Sequence, residues 1–110
     1  QQFAILTDII TKAWSANTTK KYKTLKGLKK ENLRDNMTNT ELILNMLAEA
    51  STKDISTAVN PKNLKESKKI AKQGGTIAGN ARKELEAKTG KKVVTDLNAK
   101  TFLENKNKLK

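Results

Sequence analysis

Lys65, Lys68, Lys69 and Lys72 carry the clearest chemical signal in this sequence. Their i, i+3, i+4, i+7 spacing sets them on one face of an α-helix, and Arg82 and Lys83 continue the positive charge farther along. Ammonium groups in such a row suit an anionic surface, because each can neutralise a phosphate and release a condensed counterion. A second basic cluster lies earlier: Lys20, Lys21, Lys23, Lys26, Lys29, Lys30 and Arg34, with Glu31 the single acid among them. Only Arg34 and Arg82 of the 23 basic residues are arginines. Lysine meets phosphate as a mobile point charge, whereas the guanidinium fork is the usual reader of guanine edges. The expected contact is to a nucleic-acid backbone, without base specificity and with few aromatics for stacking.

Catalysis finds no comparable pattern. The chain has no cysteine and no histidine. That removes disulfides, thiolate metal sites, cysteine nucleophiles, the commonest general base and the commonest metal ligand. Glu84 and Glu86 stand two apart and face different ways on a helix, as do Glu49 and Asp54. No paired acids and no Ser/Lys constellation stand out. QGGTIAG, around Gly74, lacks the spacing, the preceding strand and the lysine of a phosphate loop. The chain is read as non-enzymatic, with no cofactor, metal or small-molecule substrate.

Periodicity then supplies the elements that position the lysines. Phe3, Leu6, Ile9, Ile10, Ala13 and Trp14 share one side of a predicted helix over 2–15, taken as the main hydrophobic contribution to the core. Thr19 caps a short helix ending at Gly27, with Tyr22 and Leu25 inward. Another short helix is predicted from about Lys29, ending before Thr38. Thr38 and Glu41 have capping-box spacing, and Leu42, Ile43, Met46, Leu47 and Ala50 form a helical stripe within a predicted helix over 39–59. Compared with a helix-turn-helix, that helix offers Glu41, Asn45, Glu49, Ser51 and Thr52 with Lys53 as its only cation, a poor reader of a major groove.

Asn60 suits an N-cap and Pro61 a first helical position for the long basic helix that follows. Its packing stripe holds Leu64, Ile70, Ala71, Gly74, Ile77, Ala78, Ala81 and Leu85. These residues stay in phase across Gly74-Gly75, so the helix is expected to run through. Gly90 ends it, and Thr95 or Asp96 caps a final helix through Leu103. The predicted fold is all-α: a small bundle of about five helices, one of them long and basic, in a single domain over residues 1–110.

Composition agrees with a thin, highly solvated fold, with 35% hydrophobic, 4% aromatic and 31% charged residues. The net charge of +12 is uneven: residues 1–55 hold nine basic against six acidic side chains, and residues 56–110 fourteen against five. No apolar run approaches the ~20 residues a membrane-spanning helix needs, and FAILTDII lacks the basic lead of a signal peptide. A cytoplasmic protein with no membrane partner is expected. The opening at Gln1, without an initiating methionine, is read as that of the C-terminal part of a longer protein.

Three short motifs carry a resemblance. Lys26-Gly27-Leu28-Lys29-Lys30 leads into a short helix, and Thr40-Glu41-Leu42 opens the next. The third, Ile77-Ala78-Gly79-Asn80-Ala81-Arg82, stands near a V-G-x-x-V-R pattern. With these the chain resembles the C-terminal region of DNA-damage-inducible protein D and related prophage antirepressor-type proteins, whose N-terminal half often carries a Bro-like domain. Ala78 stands where that family has glycine, and the prolines of its final segment are missing around Asp96-Leu97. The resemblance implies a bacterial or prophage helical module of the DNA-damage (SOS) response or of phage regulation, acting on DNA or on a DNA-bound protein.

Two functions follow. The first is a regulatory module whose lysines contact nucleic acid or a nucleoprotein complex. The alternative is a protein-interaction or homo-oligomerisation module, in which Gly74, Ile77, Ala78, Ala81 and Leu85 dock a partner helix. DNA, RNA and an acidic protein all stay open as partners.

Overall fold

Side-chain caps set the starts of the helices, and Thr18 rather than Thr19 caps the one that begins at Thr19, its hydroxyl accepting from Lys21 N–H at 3.2 Å. In the computed structural model, which describes residues 2–100, Thr38 and Glu41 exchange both bonds of a capping box. Thr38 Oγ1 accepts from Glu41 N–H at 3.2 Å and Glu41 Oε1 accepts from Thr38 N–H at 2.9 Å. The described residues form α1 (Gln2–Ser15), α2 (Thr19–Leu25), a 3-10 turn (Arg34–Asn36), α3 (Asn39–Val59) and α4 (Leu64–Thr89), with no strand among them. The architecture is all-α with four main helices, one fewer than about five.

The missing helix is the one expected from Lys29. Glu31 Oε1 accepts the backbone N–H groups of Lys29 and Lys30, at 2.9 and 3.0 Å. Asn32 Oδ1 accepts that of Asp35, and its carbonyl accepts from the Asn36 side chain. These local side-chain bonds compete with helical ones and leave a single 3-10 turn. The backbone donors also hold the Glu31 carboxyl below its usual range. Residues 95–98 are likewise not helical; Ala99 and Lys100 are, and the rest of the expected final helix lies outside the described residues.

Asn60 also takes a different role. It closes α3 in the left-handed conformation (φ 57°), which asparagine tolerates, and Asn63 caps α4 by accepting from Glu66 N–H at 2.9 Å. Four residues, Asn60 to Asn63, therefore separate the helices, and α4 runs unbroken through Gly74 and Gly75.

Those glycines explain how α4 can pack against both α3 and α1. A Cβ on Gly74 would fall on the Thr52 hydroxyl, 2.7 Å from that residue's Cα. On Gly75 it would come 2.5 Å from Ala13 Cβ, and on Gly79 2.6 Å from the Ala13 carbonyl. Gly74 thus opens α4 to α3, and Gly75 and Gly79 open it to α1. Their lack of side chains offsets the ~1 kcal/mol per residue that glycine costs inside a helix.

Trp14 and Tyr22 lie at the centre, both fully buried, with ring centroids 6.0 Å apart and planes tilted by 59°. The Trp14 indole N–H donates to Asn45 Oδ1 at 3.1 Å, so the largest core residue leaves no polar atom unsatisfied. Leu33, Met37, Leu44, Ala48, Ala78 and Val93 complete the cluster.

Two apolar stripes depart from expectation. Phe3, counted toward the core, is 83% exposed on the first turn of α1. On α3 the inward residues are Glu41, Leu44, Asn45 and Ala48, while Ile43, Met46, Leu47 and Ala50 face solvent. Leu25 is also exposed. The face of α3 that packs is the one whose polar groups find partners, Glu41 with Lys26 and Asn45 with Trp14.

Candidate nucleic-acid interface

Lys65, Lys68, Lys69, Lys72 and Lys83 are all exposed on α4. By helical phase they lie across the helix from Gly74, the residue that meets α3. None of the five belongs to an ion pair among the described residues. From Lys65 to Lys83 the row spans ~27 Å at 1.5 Å per residue, the length of about eight phosphates along one DNA strand.

Arg82 does not belong to this row. It is half-buried, with Nε donating 2.7 Å to the Trp14 carbonyl and Nη1 donating 2.7 Å to Glu86 Oε1. A carbonyl near the end of α1 has no helical partner of its own, and a cation there also complements the helix dipole. Glu86 Oε2 in turn accepts the Val93 N–H at 2.9 Å. Arg82 therefore fastens α1, α4 and the following segment together, and its donors are turned inward.

The second basic cluster is divided. Lys20, Lys21, Lys29 and Lys30 are exposed. Lys23 is half-buried and lines a cleft of about 370 Å³ together with Phe3, Thr19 and Leu33. Arg34 is exposed but pairs with Glu49 at 2.9 Å, so its charge is largely answered within the chain. Lys26 leaves the surface altogether.

The Lys26 ammonium lies 2.7 Å from Glu41 Oε1, with both side chains fully buried. It also donates to the Leu97 carbonyl at 2.5 Å and stands 5.7 Å from the centre of the Tyr22 ring. The Tyr22 hydroxyl donates to Glu41 Oε2. Burial, reinforced by the hydrogen bond and charge of Glu41, pushes that hydroxyl far above its ordinary value and keeps it neutral. The trio is closed to solvent and serves to hold α2, α3 and the segment after α4. Asn98 strengthens the same junction by donating to the Lys26 carbonyl at 2.8 Å. One available signal was Glu41 itself, since Glu41, Leu44, Asn45 and Ala48 also share helical spacing.

The small-residue stripe is taken up within the chain. Gly74 and Ala78 are buried and Ala81 is half-buried, whereas Ile77 and Leu85 are 46% and 38% exposed. No helix of the described residues is long and apolar enough to cross a membrane. Comparison of the chain with protein-family models, curated proteins and solved structures finds no match.

Proposed function

We propose that this chain is a non-catalytic, cytoplasmic regulatory module that contacts nucleic acid, or a nucleoprotein complex, through the lysine row of α4. A place in a DNA-damage response or in prophage regulation belongs to the same reading and rests on the short motifs resembling damage-inducible protein D. The observation that supports the contact is a run of five exposed lysines on one face of one rigid helix, none neutralised by a described carboxylate. The mechanism is phosphate neutralisation with counterion release.

Five contacts bound the salt dependence: log K falls against log salt with a slope no steeper than about −4.5 on duplex and about −3.5 on single strands. Fluorescence anisotropy of labelled single- and double-stranded DNA, at low and at physiological salt, tests the reading. Binding that weakens along such a slope, and is lost in Lys68→Glu/Lys72→Glu, supports it. Absence of binding at low salt overturns it.

A further inference from the structure

Helix α3 shows apolar residues on the side away from the core as well as toward it. Ile43, Met46 and Leu47 are 64%, 48% and 38% exposed, and Ala50 continues the face by one turn. Helical phase places them opposite Glu41, Leu44 and Ala48, which are buried. Gly74 meets Thr52 in the antiparallel α3–α4 pair, so Leu47 and the exposed Ile77 of α4 stand at nearly the same level. An apolar face of this continuity on a soluble surface marks an interaction site.

We propose that this face is a two-fold interface between two copies of the chain, with the two α3 helices antiparallel. The spacing of its residues is self-complementary. An axis between Met46 and Leu47 sets Met46 against Leu47 of the second copy, and Ile43 against Ala50, a large residue against a small one. The same register brings Asp54, exposed and outside every described ion pair, beside Asn39 at the N-terminus of the partner helix. A carboxylate is favoured there by the helix dipole.

Charge points to the same occupant. The chain carries +12, yet this face holds only Lys53 and Asp54, which cancel. An acidic partner is drawn to the lysine row across α4, whereas a second copy needs a patch without net charge. The area sets the strength. A helix of 21 residues is ~31 Å long, and its single face falls short of the ~800 Å² per partner of a standard interface even with Ile77 beside it. The dimer is therefore concentration-dependent.

Sedimentation equilibrium at physiological salt, from about 5 μM to about 1 mM chain, tests the interface. The expected result is a monomer–dimer equilibrium whose dissociation constant rises at least about tenfold in Leu47→Glu, with an unchanged circular dichroism spectrum. Ile43→Ala weakens association, and Ile43→Ala/Ala50→Ile restores it, because the axis sets the new isoleucine against the new alanine. A monomer at every concentration overturns the proposal, as does a dimer indifferent to Leu47→Glu. A swap that fails to restore association overturns the register. All these positions are exposed, so the variants test association without disturbing the core.

Discussion

The ammonium of Lys26 and the carboxylate of Glu41 lie 2.7 Å apart with no exposure of either side chain. A buried pair of this kind contributes little against an apolar replacement, but removing one partner strands the other charge. Lys26→Met alone should cost about 3–5 kcal/mol, measured by denaturant unfolding. Glu41→Gln should cost a similar amount, and it also weakens the cap that starts α3. The triple variant Tyr22→Phe/Lys26→Met/Glu41→Leu should recover much of either loss. Equal stability of Lys26→Met and the parent would show that the pair does not hold the junction.

Tyr22 is the only tyrosine, so its ionisation can be followed by absorbance alone. Its folded pKa is raised above the ordinary tyrosine value of about 10, so the stability tied to its proton is complete below that pH. That contribution is lost as pH rises above the unfolded value, because the unfolded chain then binds fewer protons. Tyrosinate should therefore form only in a cooperative step coincident with the loss of circular dichroism. A simple reversible ionisation near pH 10 in the folded protein would contradict the burial of the hydroxyl.

In an open helix, replacing glycine with alanine gains about 1 kcal/mol. Gly75 should reverse that sign, because the new Cβ would stand 2.5 Å from Ala13 Cβ and 2.8 Å from the Ile10 carbonyl. The added methyl forces α1 and α4 apart, and overpacking of this kind costs about 1–3 kcal/mol. Asn80→Ala, at an exposed position of the same helix, is the control and should be neutral or slightly stabilising. Thermal melts of the two variants decide the comparison.

What could be read from the sequence was local. Thr38 with Glu41 marks the start of α3, and the constant phase of Ala71, Gly74 and Ala78 carries α4 through two glycines; both signals lie within a few residues. Lys26 gave no such signal, since its burial depends on Glu41 fifteen residues on and on the Leu97 carbonyl in a segment that folds back. The direction of α3 was hidden for a related reason. Its Ile43–Met46–Leu47 stripe is the more apolar, yet the polar face packs because Asn45 answers Trp14 and Glu41 answers Lys26 and Tyr22. Hydropathy ranks faces by their own side chains and carries no information about distant partners.

Lys68 and Arg82 are both cations on α4, and their surroundings predict opposite phenotypes. Lys68 is exposed and outside every described ion pair, so Lys68→Gln should leave stability within about 0.5 kcal/mol of the parent. If the lysine row meets phosphates, the same change weakens DNA binding across sequences and reduces the salt slope by about one. Arg82→Gln removes bonds to the Trp14 carbonyl and Glu86, leaving a half-buried carboxylate without its cation, and should be clearly destabilising. Binding per folded molecule should then be little changed, because Arg82 Nε and Nη1 are already engaged within the chain and its charge is paired with Glu86. Melting curves and anisotropy titrations of the two variants separate the roles: a binding defect in Arg82→Gln at temperatures where it is fully folded would return Arg82 to the interface.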